Sequence, residues 1–226
     1  MTLVAVAANK FTPGCLPDND WRDPTPRKKR ARADLVPTPL ETALRASYST
    51  DAHLVTYVVS SPDGAPLERQ PRVRKEALDW LLAQHYRVDC DVLFCDLDNP
   101  SHAEWTPASL ATAERDLALP VLSTCGIYYT THGRRIVQPL DEPVSVTESE
   151  RYLSAWLREL DDAGLAVDWR CRDWTRMFRL PNVRRGHLDY RSPVLDLGRM
   201  VPRAITPLAT PAPIPKGERS LACSTP

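Results

Sequence analysis

Two aspartates, one residue apart, close an apolar run in the middle of the chain: Val92-Leu93-Phe94-Cys95-Asp96-Leu97-Asp98. In an extended strand, side chains at i and i+2 leave the same face, roughly 7 Å apart. Two ionised carboxylates so placed repel each other, and each resists losing its water. A divalent cation between them removes both penalties. Hard oxygen donors favour Mg²⁺ or Mn²⁺, and Mg²⁺ takes one or two protein carboxylates beside phosphate oxygens and water. That arrangement suits nucleotidyl transfer, in which metal ions clamp the attacking and leaving oxygens. The same residues also read as a strand exit, with Asp98 and Asn99 capping a turn before Pro100. Asp89 and Asp91 precede the run as strand-entry residues.

Two later stretches supply complementary groups. Thr130, Thr131, His132, Gly133, Arg134 and Arg135 form a polar turn between β runs, and such a turn presents donors to an anion. In Val167-Asp168-Trp169 an aspartate ends a short apolar segment, giving a candidate third carboxylate. Arg179-Leu180-Pro181 follows, with Arg179 a candidate phosphate ligand. From Leu165 to Arg203 there are nine Arg and four Asp, and no Lys or Glu. Arginine is the cation whose fork matches phosphate.

Placing these groups requires an ordered core. Ala52 to Ser61 is β-branched and aromatic and ends at Pro62-Asp63-Gly64, so it predicts a strand and a turn. Arg72 to Tyr86 has Val73, Ala77, Trp80, Leu81 and His85 at helical spacing. Asp91 to Asp98 is the strand of the acidic pair. Thr106 and Pro107 open a helix as cap and first residue, with Leu110, Ala113 and Leu117 on one face. Gly126 to Leu140 predicts strand, tight turn at His132-Gly133, strand. A capping box from Thr147 to Glu150 opens a helix with Leu153, Trp156, Leu157 and Leu160 inward, and Gly164 stops it. Leu165 to Trp169 returns as a strand. The alternation predicts an α/β or α+β domain, a mixed β-sheet with flanking helices.

Taken in order, the three stretches resemble the archaeo-eukaryotic primase (AEP) superfamily, which includes primase-polymerases of phages, plasmids and mobile elements. That family carries an hhhDhD strand, then a small polar turn leading to a basic residue on the next strand, then a strand-end hD, and often R-x-P downstream. Here these read as VLFCDLD, TTHGRRIV and LAVDW followed by FRLP. The likeness covers Ala52 to Arg203. It implies an AEP/RRM-like core and a DNA primase/polymerase-type nucleotidyltransferase. That enzyme would transfer NTP or dNTP onto a 3′-hydroxyl on a single-stranded DNA template by two-metal chemistry. By the resemblance, Asp96, Asp98 and Asp168 hold Mg²⁺ or Mn²⁺, with Asp173 a rival for Asp168. Thr130, His132, Arg135 and Arg179 bind the nucleotide. His132 stands in the turn and Arg135 at the strand position where the family often has histidine, so the second-motif role falls to either. Arg172, Arg176, Arg184 and Arg185 would track template phosphates. Trp169, Trp174 and Phe178, interleaved with them, either stack on bases or belong to the core. Only a proline-rich segment follows the likeness. A helicase or a helical accessory subunit is therefore an expected partner.

Bulk properties set the frame. The 226 residues suit one domain with tails, and 42% hydrophobic residues suffice for a core. With zero formal net charge, no global field argues for nucleic acid or membrane. The 22 prolines gather near the ends, so residues 1–46 read as an irregular Pro/Arg-rich arm, 47–205 as the catalytic domain and 206–226 as a disordered tail. The basic run Arg27-Lys28-Lys29-Arg30 suits either a nucleic acid backbone or solvent. No two of the six cysteines have the two-residue spacing of a zinc knuckle, which predicts buried, reduced thiols in a cytoplasmic protein. No apolar run reaches the roughly 20 residues that span a bilayer, and no membrane partner is expected. Two other functions fit the same residues. One is a non-catalytic nucleic-acid-binding module of a mobile element; the other is a metal-dependent nuclease, which needs no NTP.

Overall fold

The apolar run that ends in Asp96 and Asp98 is extended, and its strand begins earlier than the sequence suggests, at Arg87. The structure is a computed structural model and describes residues 1–7, 35–185 and 188–211. In chain order its elements are β1 (Leu3–Ala7), β2 (Leu35–Pro39), α1 (Leu40–Arg45), β3 (His53–Val55), β4 (Tyr57–Ser60), α2 (Lys75–Ala83), β5 (Arg87–Asp98), α3 (Pro107–Asp116), β6 (Gly126–Thr130), β7 (Gly133–Ser145), α4 (Val146–Asp162), β8 (Phe178–Arg179), β9 (Asn182–Arg185), β10 (Leu188–Arg191) and β11 (Leu195–Asp196).

One sheet has the order β11-β6-β7-β5-β4, a second β2-β1-β3-β8, and β9 pairs with β10 alone. Every ladder between these strands is antiparallel. Parallel contacts occur at the isolated bridges Tyr48–Val183 and Leu140–Arg203. The fold is therefore of the expected α+β class, with antiparallel sheets and helices packed on them. α4 lies against β5 and β7. It buries Leu153, Trp156, Leu157 and Leu160, the face its spacing predicts. Val92, Leu93, Phe94, Ile127, Tyr128, Ile136 and Val137 of the larger sheet belong to the same buried core.

The run from Ala52 to Ser61, expected as one strand, is two. A bend at Thr56 sends β3 to the smaller sheet and β4 to the larger. Neither Gly nor Pro marks the bend. The arm expected over residues 1–46 also needs correction. β1 lies between β2 and β3, with Val4, Ala5 and Ala7 fully buried. The short apolar segment at the chain start is thus an inner strand, because both its edges are hydrogen-bonded. Residues 8–34, with Arg27–Arg30, lie outside the described residues.

Three local expectations shift. Among the described side chains of α2 the buried one is Leu81, whereas Ala77 and Trp80 are exposed, Trp80 to 63%. α4 starts before its predicted capping box, with Ser145 accepting from the Thr147 N–H. Leu165–Asp168 forms no ladder: the Val167 N–H turns back to Leu165 O, and Asp168 caps a 3-10 turn, Trp169–Arg172. α3 begins as predicted, with Thr106 accepting from Ser109 N at 3.1 Å. The segment after 205 starts packed, Ile205 being buried and the Leu208 carbonyl accepting from Arg151 Nε at 2.6 Å. Residues 212–226 lie outside the described residues. Cys90, Cys95, Cys125 and Cys171 are buried free thiols. Among the described residues no helix is long and apolar enough to cross a membrane.

Candidate active site

Asp96 and Asp98 project from one face of β5, and β7 sets what stands opposite. The register pairs Asp96 with Arg135 and Asp98 with Gly133. The Arg135 Nε–H donates to Asp96 Oδ1, and its Nη1 donates to the Arg179 carbonyl at 2.6 Å. The Arg135 guanidinium lies 5.8 Å from the ring centres of both Tyr128 and Phe178. Burial alone would lower its pKa, but the Asp96 charge, Tyr128 and the hydrogen bonds to both together outweigh this and the value is raised. Arg135 is therefore a fixed cation. Burial pushes the Tyr128 hydroxyl up to about 12 against the pull of Arg135. It stays protonated and donates to the Arg179 carbonyl at 2.8 Å.

Gly133 is required by closeness rather than by backbone angle. A Cβ there would lie 2.4 Å from the Leu97 carbonyl oxygen and 2.9 Å from Asp98 Cα. The carbonyl of the neighbouring His132 accepts from the Asn99 N–H at 2.7 Å. This ties the hairpin tip to the end of β5.

Asp168 reaches the same place from another element. Its backbone N–H donates to the Asp96 carbonyl at 3.0 Å. Its Oδ1 accepts from Arg170 N at 2.9 Å, capping the 3-10 turn. The turn carries Arg176 back across both carboxylates: Nη1 donates to Asp168 Oδ2 at 2.7 Å and Nη2 to Asp96 Oδ2 at 2.9 Å. The same turn brings in Cys171, whose Sγ accepts the Asp96 N–H at 3.2 Å. Ligand atoms of Asp96, Asp168 and Cys171 all lie within 4.8 Å of one another.

The structure sorts the residues singled out by sequence. Asp96, Asp168, Arg135 and Arg176 come together. Asp98 keeps 41% side-chain exposure and sits 3.7 Å from His102. Burial, then the charges of Asp96 and Asp168, raise its pKa, while His102 lowers it. Thr130 and His132 are at the hairpin tip: Thr130 Oγ1 donates to the Gly133 carbonyl, and His132 is exposed. Arg179 is held by Asp51, Nε to Oδ1 at 2.8 Å. Arg172 is half-buried and Arg184 exposed; the Arg185 side chain lies outside the described residues. Asp173, the rival carboxylate, turns away to Thr175 N and Oγ1. Trp169, Trp174 and Phe178 are buried and offer no face to a base. Cys171 and Asp51 were missed by sequence. Cys171 carried one available signal: it stands three residues after Asp168, and one 3-10 turn returns it to the same side.

Two solved structures similar to this chain are both polymerase-type domains. The polymerase domain of Mycobacterium tuberculosis Ligase D, in complex with DNA, covers 64% of this chain at 16% identity and a TM-score of 0.40. This chain spans about half of that domain, 52%. The AEP domain of the cyanophage S-2L primase-polymerase covers 66% of this chain, and this chain 83% of it, at 16% identity and a TM-score of 0.32. No family model matches the chain, and no curated protein matches it.

Proposed function

We propose that this chain is a metal-dependent nucleotidyltransferase of the primase-polymerase type, extending a 3′-hydroxyl with NTP or dNTP on a single-stranded DNA template. The carrying observation is the convergence of Asp96 and Asp168, from β5 and from a separate turn, on one arginine-framed point. The donor set fits a divalent ion: two carboxylates reach within one ion's span, and the Arg176 guanidinium spans the same two groups, so the pocket accommodates positive charge. Asp96 and Asp168 would hold the ion, with Asp98 at the exposed rim toward substrate. A divalent ion there supplies a lowered pKa for the attacking hydroxyl and charge neutralisation for the leaving pyrophosphate.

The chain's own groups do the positioning. Arg135, fixed by Asp96 and the Arg179 carbonyl, orients the Asp96 carboxylate. Arg176, 28% exposed at its side chain, has solvent to move into and is the arginine suited to meet triphosphate oxygens. His132 and Thr130 at the hairpin tip, and Arg179 beside Asp51, flank the acidic face. Arg184, exposed, and the half-buried Arg172 suit template phosphates, a contact that weakens with salt. Positioning and charge complementarity are the larger part of such catalysis.

A second reading, a nucleic-acid-binding module without chemistry, is favoured by one observation: both carboxylate oxygens of Asp96 already carry arginine partners. One experiment separates the two. Labelled nucleotide incorporation is measured on single-stranded template, with and without primer, in Mg²⁺ and in Mn²⁺, beside Asp96→Asn/Asp168→Asn. Product that disappears in the double variant supports the transferase. Template binding that survives EDTA, with no product in any lane, replaces it with the binding module. Loss of template without NTP replaces it with a nuclease.

A further inference from the structure

The thiol of Cys171 has no part in the chemistry above, yet it stands inside the acidic pocket. Its placement follows from the fold. Asp168 caps the turn, the Cys171 N–H bonds to the Asp168 carbonyl at 2.9 Å, and Sγ arrives against the Asp96 backbone. Sγ and the two carboxylates lie within 4.8 Å of each other. The pocket's taste for positive charge is visible independently of the thiol, in the guanidinium that bridges both carboxylates.

The neighbouring thiol is differently disposed. The Cys95 S–H donates to the Asp96 carbonyl at 3.5 Å. Its sulfur is thus turned to the backbone of β5 and away from the carboxylates. Sγ of Cys171 instead accepts the Asp96 N–H at 3.2 Å. A hydrogen bond into sulfur fixes its orientation, as outer-sphere donors do for metal ligands.

We propose that Cys171 is the third protein donor of the Asp96/Asp168 site, and that its sulfur makes the site select divalent ions softer than Mg²⁺, of the Co²⁺, Zn²⁺ and Cd²⁺ kind. This rests on the reading that Asp96 and Asp168 bind a divalent ion. Thiolate is a poor donor to Mg²⁺ and a good one to borderline and soft ions, whereas carboxylates serve both. Coordination replaces the S–H bond by a metal–sulfur bond and releases the proton to solvent, with no change of oxidation state.

The test uses the whole chain titrated with Co²⁺ and with Cd²⁺. Sulfur bound to either ion adds an ultraviolet charge-transfer band, which carboxylates do not. The expected result is a stoichiometric band in the native protein that is lost in Cys171→Ser and Cys171→Ala and retained in Cys95→Ser. Co²⁺ affinity should weaken about tenfold in Cys171→Ser, with Mg²⁺ competition for the site little changed. Circular dichroism checks that each variant is folded. If the native protein binds Co²⁺ or Cd²⁺ stoichiometrically without the band, the sulfur assignment is overturned and the carboxylate site stands. A band that survives in both Cys171 variants assigns the sulfur elsewhere and overturns it too. If no ion binds, or binding is unchanged in Asp96→Asn/Asp168→Asn, the underlying metal reading fails as well.

Discussion

Removing Arg135 while keeping Asp96 would leave a carboxylate whose side chain is only 10% exposed with Arg176 as its remaining arginine partner. Breaking one partner of a buried pair costs about 3–5 kcal/mol when the other is left unpaired. Because Arg176 stays, Arg135→Met should lower stability by less than that, about 1–3 kcal/mol, and Asp96→Asn in the same chain should restore part of it. Denaturant unfolding of the two single variants and the double variant measures the coupling; additive effects would show that the pair is not coupled. Asp91 offers a second residue-level test. Burial raises its pKa, although the Leu3 N–H donates to it at 3.1 Å. The folded state thus holds this proton more tightly than the unfolded chain, whose value is about 3.9. Stability from this group is greatest below the unfolded value and falls as pH rises through the folded one. Asp91→Asn should raise Tm at pH 7 and give no gain below about pH 4; melts across pH check the sign. At this scale the sequence pointed well to groups held by period or by strand ends. Asp96, Asp168 and Arg135 were legible that way. That Arg135 stands opposite Asp96 while His132 lies at the hairpin tip needed the β5–β7 register, and Cys171 needed the turn that Asp168 caps.

Among the elements, the pairing of β5 with β7 does most to shape the site, and Gly133 is its tightest point. The obstacles to a Cβ are backbone atoms of Leu97 and Asp98, which cannot rotate away. Gly133→Ala should cost about 1–3 kcal/mol by overpacking, seen as roughly 2–4 °C of Tm per kcal/mol. Nucleotide incorporation should fall further than stability does, because the same displacement moves the acidic pair. An unchanged Tm would mean that the strands separate more easily than this packing implies. Helices with caps and even amphipathic faces, α3 and α4, were readable in the sequence. The division of Ala52–Ser61 was not. Its residues suit one continuous strand, and the bend at Thr56 is imposed by two sheets competing for one segment, a tertiary choice that no local signal encodes.

For the molecule as a whole, the smaller sheet joins distant parts of the chain. β1 from the chain start pairs with β3, and β3 pairs with β8, which leads out of the site. Deleting residues 1–7 removes an inner strand and exposes both neighbouring edges, so the truncated chain should lose cooperative unfolding; a sharp calorimetric transition would contradict this. The expected catalytic unit, placed by sequence at 47–205, omitted this strand because proline and arginine dominate the residues after it. The pairing of Ala7 with Leu35 has one more consequence. The two strand ends stand opposite each other, about 5 Å apart as paired strands do, a gap that a two-residue hairpin turn spans. Joining Ala7 to Leu35 through Asn-Gly should therefore keep β1 and β2 in register; circular dichroism and a thermal melt of that variant check it. The variant would lack the Arg27–Arg30 cluster, a ready means of learning what that cluster is for.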